Sequence, residues 1–475
     1  MIQSVDHVAL LPAYLAAGTA VLVLLTDLLL ARRGAVFAVA ALGAVATAIG
    51  AALVGAGDDR ATFCAGTACS YLATDRSALV AALFALLTLG VLGLSAATRD
   101  VPPGEYAFLL ACSMTGGVAL GAAGDLITLI VALETLTLPL YVLVGLRRRT
   151  VAGAEAAVTF FVVSVVATAV TLLGAALLYA VAGSVHFGEL GQALPAAPLT
   201  RVAVVLILAG LAFKVAAVPF HAWAPATYDG APVPIAAYLS TASKLGGVIA
   251  ILIAVVEGLL PALDQAGRAL AVLAVLTMTV GNLVALRQTR MVRLLAWSSV
   301  AQAGYILAPL GAFLVAEGRA ELSTAVAATV AYTVFYVVLE LAAFGAIVAL
   351  RPGSDGGALE EYRGAARRRP WVGAALVLAL VGLAGLPPGL AGLFAKVAVV
   401  RSLLAGGAGW LAVVVALNAV IGLAYYVRVA ALLYAPSADV PRQRVPWPVA
   451  AALAAVTAVA LLLGFAPQIV FDLAG

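Results

Sequence analysis

The chain has 475 residues, 65% of them hydrophobic and 10% charged, against roughly 45–50% apolar and about 25% charged in an ordinary soluble domain, which excludes a soluble globular enzyme. Its 26 basic and 22 acidic residues leave a net charge of +4, with the arginines single or in short loop clusters, so no continuous basic face awaits a phosphate backbone and nucleic acid is not an expected partner. The basic residues divide into 23 Arg and 3 Lys, and Lys214, Lys244 and Lys396 all lie inside strongly apolar stretches.

Runs of about 20 apolar residues cross a bilayer as helices. In chain order, fourteen spans are expected near 9–30, 35–55, 78–98, 106–123, 126–146, 154–181, 201–219, 232–257, 268–286, 294–315, 322–350, 371–399, 407–434 and 447–469. Before the first span stand Asp6 and His7 with no Lys or Arg, so the positive start of a cleavable signal peptide is missing and this span is expected to be retained. Between spans 2 and 3, Cys64 and Cys69 flank a short polar loop and can bond if it faces an oxidising compartment. Cys112, in an apolar run, reads as inert packing. His7 and His186 fall in outer segments with no role assigned.

Loops on the cytoplasmic side are enriched in arginine. One set of alternate loops holds Arg32, Arg33, Arg99, Arg147 to Arg149, Arg287, Arg290, Arg293, Arg351, Arg363, Arg367 to Arg369, Arg428, Arg442 and Arg444, seventeen in all. The other set holds six, Arg60, Arg76, Arg201, Arg268, Arg319 and Arg401. This asymmetry supports the span count, because one missed helix would scramble it, and it puts both termini and the Cys64/Cys69 loop outside.

Proline inside an apolar helix breaks its hydrogen-bond ladder. Pro219 interrupts span 7 five residues after Lys214, and Pro387-Pro388 interrupts span 12 eight residues before Lys396. Broken helices at membrane depth are tolerated where they are buried in protein or line a hydrated cavity; a simple kink is the bland reading. Spans 7 and 12 are five helices apart, an odd number, so they enter from opposite faces, as in inverted repeats. The expected organisation is an all-α polytopic membrane protein: three N-terminal spans over 1–105, a first five-helix repeat over 106–266, a second over 267–435, and a last span over 436–475.

An ionisable group at membrane depth costs at least about 2.5–3.5 kcal/mol and reads as functional or paired. The candidates are Glu134 in span 5, Lys214 in span 7, Lys244 in span 8, Glu340 in span 11 and Lys396 in span 12. A GC-rich genome accounts for the excess of arginine but not for where the lysines sit. Arginine keeps its proton in a protein, whereas a desolvated lysine can release one, so these positions read as titrating groups; a structural Lys-Glu pair is the alternative for any one of them. Glu134 is the natural counter-charge for Lys214. Glu340 shares a helical face with Tyr336 and Tyr332 at four-residue steps, either as a relay member or as an acid hydrogen-bonded in its protonated form. His221, after the span 7 break, either shuttles protons between water and Lys214 or is a satisfied interfacial histidine. Ser298, Ser299, Gln302 and Tyr305 give span 10 a polar stripe that either holds water or serves helix packing. The sequence has no GxGxxG in a βαβ setting, no Walker loop, no CxxC cluster and no His pair at metal spacing, so the chain is expected to move something rather than transform it.

The segments LETLTLPLYVLVGL (133–146), GLAFKVAAVPFHAWAPATYDGAPVPIAAYLSTASKLGG (210–247), GNLVALRQTRMVRLLAWSSVAQAGYIL (281–307), LEEYRGAARRRP (359–370) and GLAGLPPGLAGLFAKV (382–397) resemble the antiporter-like membrane subunits of respiratory complex I. ALRQT, EEYRG and the span 12 lysine are closest to the subunit N branch. The resemblance, covering about 106 to 434, implies fourteen helices in two inverted repeats and proton translocation driven by quinone reduction elsewhere in the complex. Lys214 would be the central proton carrier and Glu134 its gate, with Lys244 leading on to Lys396. It implies no cofactor on this chain; NADH, FMN, iron-sulfur clusters and quinone are expected in other subunits. The implied partners are other membrane subunits of the complex, the lipid bilayer and protons, in a bacterial inner (plasma) membrane. Two positions depart from the pattern: Thr159 stands where the family usually has lysine, and Ala226 where it usually has aspartate. Thr159 can support a water chain but holds no charge, and Glu340, where the family is usually uncharged, is the candidate compensation. Two other functions are carried forward, a subunit of a multi-subunit cation/proton antiporter and a structural subunit that does not pump.

Overall fold

The computed structural model describes residues 5–146, 151–192, 194–353, 355–436 and 444–474. The Arg147 to Arg149 run and Arg442, which enter the arginine count, lie outside the described residues.

The protein is built from helices, because a backbone in lipid must satisfy its own hydrogen bonds. In chain order these are α1 Leu11–Leu30, α2 Arg33–Gly55, α3 Asp75–Leu94, α4 Pro103–Gly121, α5 Leu126–Gly145, α6 Val151–Ala182, α7 Phe187–Leu190, α8 Pro198–Lys214, α9 Trp223–Gly230, α10 Val233–Tyr238, α11 Lys244–Ile253, α12 Leu263–Ala285, α13 Met291–Gly311, α14 Ala316–Ala320, α15 Leu322–Leu350, α16 Ala365–Arg368, α17 Pro370–Ala384, α18 Leu390–Ala405, α19 Gly409–Tyr434, α20 Trp447–Phe465 and α21 Gln468–Ala474. Each expected span has a helical counterpart. Among the described residues, ten are long and apolar enough to cross a membrane unbroken; α4, α8, α13 and the α17/α18 pair account for the rest.

Three details differ from the sequence reading. The polar loop between α2 and α3 is an antiparallel hairpin, β1 Arg60–Ala65 and β2 Ala68–Ala73, in which Cys64 pairs opposite Cys69 and is disulfide-bonded to it. Span 7 stops at Lys214 rather than running to Pro219. Ala216 takes a left-handed φ of 57°, and the residue before a proline is driven out of the helical region, so the break occupies all of 215–222. Span 8 is not one regular helix: the backbone widens to π-helix over Leu239–Ser243, immediately before Lys244, and again over Ala254–Gly258. Such bulges recur at functional positions.

The chain forms two compact units. One comprises residues 1–92, 100–214 and 242–262; the other comprises 93–99, 215–241 and 263–475. The chain leaves the first unit directly after Lys214 and re-enters it two residues before Lys244. Within the first unit, α6 packs along α8, α4 along α5, and α11 against α4, α5 and α8. Gly210 is what lets α6 and α8 approach: an added Cβ would overlap Thr171 and stand 2.7 Å from the Ala167 carbonyl. Within the second unit, α12 pairs with α13, and α15 packs against α17, α18 and α20.

Candidate functional site

In the first unit, α5 begins at Asp125, a buried N-cap whose carboxylate accepts the Thr128 N–H at 2.7 Å and so satisfies an otherwise orphaned helix donor. Glu134 follows in the third turn. One turn later Pro139 cannot donate to the ladder, and Ser113 Oγ of α4 donates to the Leu136 carbonyl at 2.7 Å. Lys214 is the last residue of α8, where the helix dipole presents its negative end to the ammonium. Its Nζ donates to Glu134 Oε1 at 2.7 Å, Ser164 Oγ at 3.2 Å and Thr137 Oγ1 at 3.3 Å. Glu134 Oε1 also accepts from Thr168 Oγ1 at 2.6 Å, and Tyr141 donates to Ser164 Oγ. The lysine side chain is 5% exposed and the glutamate 21%, so the ammonium is out of bulk water and its charge must be met by protein groups. Lys244 is 2% exposed at the start of α11, and Gly246, two residues on, lies against Leu136 and Leu120 of α5 and α4. Thr159 sits half-buried on α6, five residues before Ser164.

In the second unit Lys396 is half-buried on α18. The helix break after α17 leaves that helix's last carbonyls without intrahelical donors. Lys396 Nζ donates to two of them, Leu383 at 3.1 Å and Ala384 at 2.6 Å, and lies 5.0 Å from the Tyr305 ring. Gln302 Nε2 donates to the same Leu383 carbonyl at 3.1 Å and to the Tyr426 hydroxyl at 3.0 Å, while Tyr332 donates to Gln302 Oε1 at 2.6 Å. Ser298 pairs with Tyr426 at 2.6 Å, and Ser299 with Tyr336, which donates on to the Ser240 carbonyl at 2.8 Å. Asn282 bridges Tyr305 and Asn418, and accepts from Tyr425. Glu340 is wholly buried on α15, one turn after Tyr336 on the same helix face. The span 10 stripe therefore meets tyrosines directly. His221, half-buried in the break segment, packs 5.2 Å from the Trp297 ring. A third polar group forms where Arg290 binds Asp229 through both carboxylate oxygens, at 3.0 and 2.8 Å, and Asp355 at 3.0 Å.

The structure thus joins Lys214 to Glu134, as their types suggested, and surrounds them with Thr137, Tyr141, Ser164 and Thr168, which the sequence reading passed over. Ser164 and Thr168 are four apart on α6, one polar step on a helix face, and that spacing is the signal that was available. Tyr425, Tyr426, Asn282 and Asn418 were missed because each looks like an isolated polar residue until three helices converge. Among the described residues no group of three or more His, Cys, Asp and Glu is placed to hold a metal ion.

Residues 123–422 match the transmembrane family described as NADH:quinone oxidoreductase/Mrp antiporter. A curated relative from Salinispora tropica, named NADH-quinone oxidoreductase subunit N, is 66% identical over 100% of this chain and 99% of its own length. A chain of respiratory complex I from Thermus thermophilus superposes with a TM-score of 0.83 at 30% identity, covering 98% of this chain and 100% of that one. A chain of the Mrp complex from Dietzia sp. shares the fold, with a TM-score of 0.85 at 23% identity over 98% of this chain and 95% of that one.

Proposed function

The chain belongs to the NADH:quinone oxidoreductase/Mrp antiporter family, in its subunit N branch, and from that membership we propose that it carries protons across the membrane of a bacterial respiratory complex. It is a multi-pass membrane subunit of an NADH-quinone oxidoreductase, whose NADH, FMN, iron-sulfur and quinone chemistry we assign to other subunits.

The observation that carries the reading is the buried Lys214–Glu134 pair at 2.7 Å. A carboxylate beside a desolvated lysine favours the ammonium; drawing that carboxylate away favours release of the proton. Glu134 thus gates Lys214, and Lys214 is the carrier of the first unit. Lys244 in the same unit and Lys396 in the other are the further carriers, with His221, Glu340 and the Thr159 hydroxyl in supporting roles. We further propose the two inverted five-helix repeats at 106–266 and 267–435. Both termini are proposed to lie outside, which the Cys64–Cys69 disulfide supports because such bonds persist on the oxidising side of a membrane.

The test is Lys214→Met in the assembled complex, reconstituted into liposomes, with protons moved per NADH oxidised as readout. The ratio is expected to fall while NADH oxidation continues at a reduced rate; an unchanged ratio would sink the reading in favour of a structural subunit.

A further inference from the structure

We propose that Tyr141, Ser164 and Thr168 are positioning residues which, by the direction of their hydroxyl hydrogens, hold the Glu134–Lys214 pair in its ionised form. The inference rests on the reading of that pair as a proton gate and carrier.

An ammonium has three hydrogens and no lone pair, whereas a neutral amine has two hydrogens and a lone pair that needs a donor. Each partner of Lys214 Nζ is turned to accept. Ser164 Oγ receives the Tyr141 hydrogen on one lone pair and accepts from Nζ at 3.2 Å on the other, which turns its own hydrogen away from the lysine. The Thr137 hydrogen is directed to the Leu133 carbonyl at 2.9 Å, leaving its oxygen toward Nζ at 3.3 Å. With Glu134 Oε1 as the third acceptor at 2.7 Å, the surroundings match an ammonium hydrogen for hydrogen.

The acid is held by the same logic. Glu134 Oε1 accepts from both Lys214 Nζ and Thr168 Oγ1, at 2.7 and 2.6 Å, which occupies both lone pairs of that oxygen and opposes a proton there. The carboxylate–ammonium form is therefore favoured over the neutral acid and amine. A hydroxyl turns about a single bond, so the cage can be reversed without moving a helix. The titratable and charged groups on the helices packed around this point are Glu134 and Tyr141 of α5, Lys214 itself with Arg201 at the other end of α8, Lys244 of α11, Glu155 and Tyr179 near the two ends of α6, and Glu105, Tyr106 and Cys112 of α4; α6 also contributes the hydroxyls of Ser164 and Thr168.

The test is the protons moved per NADH oxidised by the assembled complex in liposomes, followed across about pH 5 to 9, where the acid-side and alkaline-side midpoints report the essential groups. Loss of one hydrogen bond to a charged group corresponds to about one pH unit. Thr168→Val removes the donor to Glu134 and is expected to raise the acid-side midpoint by about one unit; Thr168→Ser restores it. Tyr141→Phe frees Ser164 to turn its hydrogen toward Nζ and hold the amine, so the alkaline-side midpoint falls by about one unit. Where Tyr141→Phe does not assemble, Ser164→Ala removes the acceptor itself and has the same expected shift. Assembled variants that keep both wild-type midpoints, including ones that merely lose activity equally at all pH values, overturn the proposal. Lys214→Met separates the two claims. If it abolishes pumping while the hydroxyl variants leave the midpoints in place, only the cage fails; if it pumps at the wild-type ratio, the carrier reading fails and the cage with it.

Discussion

Lys396 is held by helix-end carbonyls, and one glycine makes room for it. Gly385 has a φ of 83°, and a Cβ there would stand 2.6 Å from Lys396 Cδ. Gly385→Ala meets a backbone cost of about 1–2 kcal/mol and pushes the lysine off the Leu383 and Ala384 carbonyls. The assembled complex is expected to melt at lower temperature and to move fewer protons per NADH, approaching Lys396→Ala; wild-type values of both would show that the carbonyls do not position this lysine. Glu340→Gln keeps the shape of the buried side chain and removes its titratable carboxyl. It is expected to lower the proton ratio with assembly intact, measured in liposomes against wild type, and an unchanged ratio would leave Glu340 a structural acid. That these residues place an ionisable group inside an apolar run could be read from their type alone, and such a group is costly there. What holds each one could not be read so, because partners lie far away in sequence, 80 residues in the case of Lys214 and Glu134.

At the scale of elements, the start of α5 sets the register of Glu134. Asp125 caps it through the Thr128 N–H and hydroxyl at 2.7 and 3.0 Å, and Asp125→Ala is expected to cost about 1 kcal/mol, seen as a lower melting temperature of the purified complex. The β1–β2 hairpin is tied across its turn by Cys64 and Cys69. Before reduction both thiols should resist alkylation and after reduction both should react, as read by mass spectrometry; alkylation without a reductant would mean that the bond is absent in the cell. The helices were legible because the 20-residue apolar period is imposed by the bilayer. The hairpin was not, since six-residue strands with mixed burial carry no clear alternation. The proline breaks were legible in position but not in extent, because the backbone of 215–222 is set by partners such as Thr277 Oγ1, which accepts the Val218 N–H at 2.9 Å.

For the whole molecule, the arginine asymmetry predicts that both ends face outside. A reporter active only outside the cytoplasmic membrane, fused after residue 474, is expected to be active, and the same reporter placed in the Arg287 to Arg293 loop to be silent; the reverse pattern would overturn the orientation. The Arg290 cluster belongs to this scale because it ties α9 to two loops through Asp229 and Asp355.

The sequence by itself determined that this chain is a membrane protein of long apolar helices, where two of those helices break and which ionisable groups stand inside apolar runs. The breaks follow from proline's missing donor, and the rest from a transfer cost that a residue meets wherever the fold puts it. Only the tertiary structure decided what those charges touch: that Lys214 meets one carboxylate and two hydroxyls, and that Lys396 meets the orphaned end of α17. Hydrogen bonds depend on distances of a few tenths of an ångström between residues far apart in the chain, and composition and spacing hold no record of them until helices such as α5, α6 and α8 have packed.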